Sequence, residues 1–286
     1  MNKIILIFSI CLLAQAAGAQ RFHVGIFGGL ANYNGDLTDK YYPSKTTNGS
    51  VGITGNFEFS GHFRLRAGYT YAVVGGADRF AKDPEAIARN LSFETSIHEF
   101  SAVGELYLFD LDERRFSPYG FAGLAVYKFN PYAYDANMNK VYLKPLSTEG
   151  QGLTGYPESK PYGLTQMAIP FGLGVKYAFT ENLQLGFEIG YRKLFTDHLD
   201  DVSGAYADPA DLLAQRGQLA VDMAYRGDEL PGGNPNFPAK GSGRGGADYK
   251  DAYYFTGLHL TYRLGNGGGG FGGGRRNRLG CPANVY

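Results

Sequence analysis

The chain has 286 residues, and its 27 Lys and Arg balance its 27 Asp and Glu, so the formal net charge is zero. A neutral chain offers no general attraction for nucleic acid, and we expect no nucleic-acid partner. Gly (42), Tyr (22) and Phe (20) are abundant and Trp is absent. This composition argues against an ordinary enzyme domain and favours closely packed strands that present rings to an apolar or interfacial medium.

The N-terminal segment carries the features of an export signal. Lys3 precedes an apolar run, Ile4–Leu13, and small residues that form an A-x-A cleavage site end at Ala19. The apolar run is too short to cross a bilayer as a helix. We therefore predict a signal peptide over residues 1–19. Its removal leaves Cys281 as the one cysteine, which excludes an intrachain disulfide.

Eight segments of alternating apolar and polar residues follow the signal. They lie near residues 21–34, 50–59, 63–74, 95–109, 117–129, 166–179, 183–196 and 252–264. Period-2 alternation predicts strands with one apolar and one polar face. Most segments have about ten residues or slightly more, which is the length that a tilted strand needs to cross a bilayer.

Short and long connections alternate between these segments. The short ones lie at Ser60–His62, Asp110–Phe116 and Thr180–Asn182, and the long ones at 35–49, 75–94, 130–165 and 197–251. A soluble Greek-key sandwich has no reason to sort its loops by length, whereas an up-and-down outer-membrane barrel does. We predict an all-β fold over residues 20–264: an eight-stranded antiparallel up-and-down transmembrane β-barrel with short periplasmic turns and long extracellular loops.

This topology predicts the location of the protein. An exported barrel belongs in the outer membrane of a Gram-negative cell, where outer-membrane lipid surrounds it, and an even strand number places both termini in the periplasm. Residues 265–286 combine a glycine tract with Arg275, Arg276 and Arg278. This composition predicts a flexible periplasmic tail, with a tether to a periplasmic partner as the alternative.

The polar faces of the strands predict a charged barrel interior. In the third strand, "FRLRAGYTYAV", apolar positions alternate with Arg64 and Arg66, which therefore face inward. Side chains can fill so narrow a barrel, and enclosed charges need opposite partners. The predicted lumen network comprises Glu58, Arg64, Arg66, Glu99, Glu105, Lys176, Glu188, Arg192, His259 and Arg263. A pathway for ions or substrates through these residues is the alternative.

Two hairpins predict specific neighbours inside the barrel. The first places Glu58 opposite Arg64. The second places Glu188 opposite Gly174 and diagonal to Lys176.

Two strands depart from a regular alternating pattern. The strand over 117–129 could face either way, because its aromatic residues occupy the odd positions and its aliphatic residues the even ones. Pro170 cannot donate a hydrogen bond to its neighbouring strand, so it indicates a bulge or a local kink.

The sequence shows no arrangement of nucleophile, base and orienting acid. His98 and Ser101 point to opposite faces of their strand, while His259 and Thr261 share the face assigned to the filled interior. We therefore predict no enzymatic activity and no cofactor.

The last long loop begins "TDHLDDVSGAYAD" and is rich in acids. Their spacing does not match an EF-hand, so a calcium site at Asp197, Asp200, Asp201 and Asp208 is only a minor alternative. Residues 209–225 predict a short helix, and Leu212, Leu213, Leu219 and Met223 could pack it against the barrel rim or a partner.

Three segments resemble a known family. "IPFGLGVKY", "LGFEIGYRKLFTDHLDDVSGAYAD" and "YYFTGLHLTYRLG" are similar to signature segments of the PorG-like outer-membrane proteins of Bacteroidetes, most clearly over residues 166–208 and 252–264. PorG is a component of the type IX secretion and gliding apparatus. The resemblance implies an integral, non-catalytic barrel that associates with the periplasmic PorK/PorN ring.

The expected function is therefore a structural or anchoring role in type IX protein secretion. We expect Asp197, Asp200, Asp201 and Tyr206 to fold the last loop over the barrel mouth or to contact a translocon partner. A small porin-like or surface-adhesion barrel without a part in secretion is the main alternative. A lipid-modifying enzyme is a weaker one.

Overall fold

The computed structural model of the chain describes residues 21–38, 43–246 and 250–264. The predicted signal peptide (1–19) and the predicted tail (265–286) lie outside the described residues. Within the described part of the chain, no helix has both the length and the apolar character of a membrane-spanning helix.

Eight long strands close into an antiparallel barrel. They are β1 Phe22–Asn34, β2 Asn48–Ser60, β3 Phe63–Ala77, β4 Ser92–Tyr107, β5 Phe116–Lys128, β8 Thr165–Ala178, β9 Leu183–Leu194 and β10 Ala252–Leu264. A small hairpin, β6 Tyr132–Tyr134 and β7 Lys140–Tyr142, lies between β5 and β8. Each long strand pairs with its neighbours in chain order, and pairing of β1 with β10 closes the cylinder. The predicted eight-stranded up-and-down barrel is confirmed.

Connections of different length emerge at opposite ends of the barrel. The short turns follow β2, β4 and β8 at the end that also carries Phe22 and Leu264, and we call this the short-turn end. Four long loops emerge at the other end: L1 (35–47), L2 (78–91), L3 (129–164) and L4 (195–251). β3 and β4 extend further toward L2 than the sequence predicts, because their ladder continues to the pair Ala77 and Ser92.

The long loops contain regular structure of their own. L2 holds the helix α1, Pro84–Arg89, and L4 holds α2, Pro209–Arg216, and α3, Gln218–Ala224. The prediction of a single helix over 209–225 is therefore wrong in one respect, because this segment forms two helices. Gly217 divides it with φ of 88°, a left-handed conformation that an L-residue other than glycine adopts at a cost.

The strand over residues 116–128 has the aromatic side chains of its odd-numbered positions inside. Tyr119, Phe121 and Tyr127 are buried, while Leu124 and Val126 are exposed. This orientation resolves the ambiguity of its sequence pattern. Large rings on this strand fill interior volume that the glycines of neighbouring strands leave open.

Pro170 lies within β8 without a bulge. Its strand keeps a constant register with β9, where Pro170 lies opposite Arg192. On the other side, the register with β5 is the same before and after the proline, but the pairs between Ala122–Phe171 and Ala125–Ala168 are missing. The effect of the proline is therefore a local interruption of one ladder, as expected from its missing N–H.

Candidate functional site: the filled lumen and the cap

The first tier of lumen charges lies near the short-turn end. Glu58 lies opposite Arg64 in the ladder, and its carboxylate is 2.9 Å from that guanidinium. The same carboxylate is 3.1 Å from Arg263, which also lies 2.8 Å from Asp112 in the turn after β4. His23 accepts a hydrogen bond from Arg263 at 3.2 Å. Two arginines therefore share one buried glutamate.

Arg66 is the centre of the second tier. Its guanidinium lies 2.7 Å from Glu188 and 3.1 Å from Glu105 and donates to Nδ1 of His259 at 3.1 Å. Lys176 is 3.6 Å from Glu105. Glu188 is opposite Gly174 in the ladder, but its carboxylate bonds across the lumen to Arg66 and not to Lys176.

The third tier lies closer to the long loops. Arg192 pairs with Glu99 at 3.1 Å and stacks on the ring of Phe255, with 4.1 Å to its centre. Tyr253 donates a hydrogen bond to Glu99 at 2.8 Å. All ten predicted lumen residues are therefore buried and bonded inside the barrel, in pairs that mostly cross from one wall to another.

Aromatic rings and glycines complete the filling of the lumen. Tyr119 donates to Glu188 at 2.7 Å, and a Cβ on Gly174 would lie 2.6 Å from the Tyr119 ring. Glycine is required there because the ring occupies the space of a side chain. The cavity beside Arg66 and Phe121 has a volume of about 20 Å³. This volume has room for about one water molecule.

Three lumen residues have the composition of a metal site. Single ligand atoms of Glu105, Glu188 and His259 lie within 4.8 Å of one another. However, the guanidinium of Arg66 lies within 3.1 Å of all three residues. A cation at this point would meet that positive charge, so the arrangement is an arginine site and does not suit a metal.

The acidic start of L4 lies buried over the barrel mouth. Asp200 accepts a hydrogen bond from Tyr33 of β1, and Tyr33 also lies 3.1 Å from Asp251. Burial raises the pKa of Asp200 well above its usual range, and the charge of Asp251 adds to this shift. Burial likewise raises the pKa of Asp251, and the charge of Asp197 adds to it.

Asp197 and Asp201 have separate partners in the same loop region. Asp201 accepts hydrogen bonds from Thr148 and Tyr162 of L3, both at 2.6 Å. Asp197 accepts one from Ser203 at 2.9 Å. Burial raises the pKa of each aspartate to about 6.

Asp208 serves as the N-cap of α2, because its carboxylate accepts from the backbone N–H of Ala210 at 2.9 Å. The four aspartates considered for calcium thus bond to different protein groups. In the described ranges, they do not form a group of three converging ligands.

Arg244 and Arg89 join all four long loops. Arg244 of L4 donates to Glu149 of L3 at 3.0 Å and to the carbonyl of Asp201 at 2.6 Å. Arg89 of L2 donates to the Arg244 carbonyl and, at 3.2 Å, to the carbonyl of Asp36 in L1. We call the four joined loops the cap. The sequence does not reveal these links, since isolated charges in loops follow no periodicity.

An apolar layer lies within the cap. Leu199 and Val202, from the start of L4, belong to this layer, and Leu212 and Met223 join it from α2 and α3. Tyr206 is buried and stacks edge-on with Phe237, with 5.6 Å between ring centres. Leu213 and Leu219, also predicted to pack, are exposed instead.

The histidines do not form a catalytic arrangement with the hydroxyls considered. His98 is exposed on the outer face of β4, whereas Ser101 lines the lumen cavity. His259 has both ring nitrogens engaged, by Arg66 and by Thr54 at 2.7 Å. Neither histidine is therefore positioned to activate a neighbouring hydroxyl on its own strand.

Residues 2–225 match the family described as "Domain of unknown function (DUF6089)". The chain belongs to this family. No curated protein matches the chain.

Solved structures with a similar course of the chain are bacterial barrels. Neisserial surface protein A is 11% identical, with 85% of this chain and 96% of that chain covered and a TM-score of 0.41. The outer membrane protein OprG from Pseudomonas aeruginosa is 12% identical, with 86% and 98% covered and a TM-score of 0.39. The attachment invasion locus protein Ail of Yersinia pestis is 10% identical, with 85% and 98% covered and a TM-score of 0.38.

Proposed function

We propose that this chain is a non-catalytic, integral outer-membrane barrel that serves as a structural or anchoring component of type IX protein secretion. The observation that carries the membrane assignment is the reversed polarity of the cylinder. Its interior holds buried ion pairs, whereas its wall exposes many apolar side chains on all eight long strands. The exposed apolar residues on the wall include Val24, Ile26, Val51, Ile53, Leu65, Phe100, Leu106, Leu124, Met167, Leu173, Phe187, Ile189, Leu258 and Leu260.

Aromatic residues border the apolar wall at both ends. Near the short-turn end they are Phe22, Phe59, Phe116, Tyr177, Phe179 and Tyr262, and near the long loops they are Tyr71, Tyr134, Tyr142, Tyr191 and Phe195. Barrels in membranes carry an apolar band with an aromatic girdle at each interface. In water, so large an apolar surface would promote association. Lipid contact around the wall accounts for both features.

The interior supports a structural role over a transport role. Three tiers of ion pairs cross the lumen, the cavity among them holds about 20 Å³, and the cap lies over one mouth. Conduction requires a continuous path of water or polar ligands. A porin-like function therefore has less support than an anchoring function.

The secretion role is supported by sequence resemblance. The segments over 166–208 and 252–264 are similar to those of PorG-like proteins, and they correspond to β8, β9, the start of L4 and β10. Ring proteins of the PorK/PorN type are the partners that this resemblance implies. A surface-adhesion role is the second candidate, because the bonded cap presents a fixed surface on the long-loop side.

Affinity purification from detergent-solubilised outer membranes, followed by mass spectrometry, tests the secretion role. Recovery of ring proteins with the tagged chain, together with a secretion defect in a deletion strain, is the expected result. Normal secretion in the deletion strain, with reduced binding of cells to host matrix or surfaces, would favour adhesion. Defined single-channel conductance in planar bilayers would contradict the filled lumen.

A further inference from the structure

A basic and aromatic cluster borders the apolar wall on the outer face of β3, β4 and β5. Tyr71, His98 and Lys128 are direct neighbours across the two ladders. Two residues further toward the short-turn end, the corresponding row consists of Tyr69, Phe100 and Val126. The outer surface thus changes from apolar to basic between two successive rows of side chains.

The β6–β7 hairpin adds a second lysine to this cluster. The Lys140 ammonium lies 3.5 Å from the centre of the Tyr132 ring and 5.2 Å from that of Tyr142. Such cation–π contacts hold the charge in place without neutralising it. Together with His98 and Lys128, these residues line a depression of about 270 Å³. This volume suits a headgroup better than a complete drug-sized ligand, which occupies a pocket of about 300–1,000 Å³.

The positive charges of the cluster are available to a ligand. Among the residues that the structure describes, no carboxylate lies within 4.0 Å of the Lys128 or Lys140 ammonium. Glu94, on the same face, accepts a hydrogen bond from Tyr132 at 2.8 Å. His98 Nδ1 lies 2.7 Å from the Tyr69 hydroxyl. When that hydroxyl donates, Nε2 carries a proton that it can offer to an anion.

We propose that this cluster binds the phosphate group of a membrane lipid whose acyl chains lie along Tyr69, Phe100 and Val126. Two ammonium groups and an imidazole N–H match the acceptor oxygens of a phosphate, and the apolar row matches the chains. A lipid satisfies both parts of the surface, whereas a free phosphate satisfies only the polar part. The inference rests on the membrane placement proposed above.

Native mass spectrometry of the full-length mature barrel in non-ionic detergent tests this site. The probes are phosphatidic acid, phosphatidylcholine with the same acyl chains, and inorganic phosphate. We expect phosphatidic acid to bind at least about tenfold more tightly than phosphatidylcholine, and the double variant Lys128→Gln, Lys140→Gln to lose most of that preference. The matched control Lys160→Gln, Lys240→Gln removes two lysine charges from the cap and should retain the preference.

Two results would overturn the lipid site. One is an unchanged preference in the Lys128 and Lys140 double variant. The other is inorganic phosphate binding as tightly as phosphatidic acid, which would assign the cluster to a free anion. Folding is measured separately as heat-modifiable gel mobility after refolding into phosphatidylcholine vesicles. Failure of the wild-type chain to fold there contradicts the membrane proposal itself, whereas normal folding without lipid preference contradicts only the site.

Discussion

Single charges inside the barrel are tied to more than one partner. Glu58 illustrates this, because Arg64 and Arg263 both lie within 3.1 Å of its carboxylate. Loss of one member of a buried pair leaves an uncompensated charge, which costs more than the pair itself contributes. The number of partners therefore determines the effect of a substitution and how far a second substitution can reverse it.

We predict that Glu58→Ala lowers the free energy of unfolding by about 3–5 kcal/mol. Adding Arg64→Ala should restore part of this loss, and the restoration stays partial because Arg263 still lacks the Glu58 carboxylate, while its bonds to Asp112 and His23 remain. Urea unfolding in lipid vesicles measures the double-mutant cycle. Strictly additive losses would show that Glu58 and Arg64 are not coupled.

The pH dependence of the cap follows from its buried aspartates. Burial raises the pKa of Asp200 and Asp251 well above the usual range, and that of Asp197 and Asp201 to about 6. A carboxyl whose pKa is higher in the folded state stabilises that state at low pH. This contribution disappears as the pH rises through the folded-state pKa.

We predict that the cap is more resistant to proteases at about pH 5 than at about pH 8. Asp200→Asn removes the charge while keeping the shape, so it should increase resistance at the higher pH and flatten the profile. Limited proteolysis of L4 across this range measures the effect. A resistance that rises with pH in the wild-type chain is the contrary result.

At the scale of elements, the cap depends on a few bonds between loops. Arg244 bonds to Glu149 and to the Asp201 carbonyl, and Arg89 continues the chain of contacts to Asp36. These contacts lie outside the barrel ladders. The cap should therefore open without unfolding of the barrel.

We predict that Arg244→Met accelerates amide exchange in L3 and L4 by about 100-fold or more, because Glu149 loses its buried cation. Heat-modifiable gel mobility, which reports the barrel, should persist. The control Lys240→Met removes an exposed partner of Asp211 and should leave exchange unchanged. Exchange that stays slow after Arg244→Met would show that other contacts hold the cap.

Strand elements could be read from the sequence because their side chains alternate with a period of two. The same alternation placed Glu58, Arg64 and the other network residues on the inner face. It could not reveal that Arg66 bonds to Glu188, since β3 and β9 meet only across the closed lumen. The cap links and the break at Gly217 had no periodic signal, and they depend on the packing of four loops at once.

At the scale of the whole molecule, the polarity of the cylinder is the central feature. Leu173 lies in the middle of β8, and the residue is 73% exposed. A charged side chain at this position distinguishes a wall that contacts lipid from a wall that contacts water. Arginine at the bilayer midplane of a membrane barrel costs about 2–4 kcal/mol. At an exposed position in water, a substitution usually changes stability by no more than about 0.5 kcal/mol.

The most direct measurement is the unfolding free energy of Leu173→Arg relative to wild type in lipid vesicles. Lys160→Arg, on L3, is the control for adding an arginine outside the wall. If lipid contacts the wall, Leu173→Arg lowers the free energy by about 2–4 kcal/mol while the control has no effect. A loss below about 0.5 kcal/mol for Leu173→Arg would contradict the account, because the wall would then face water.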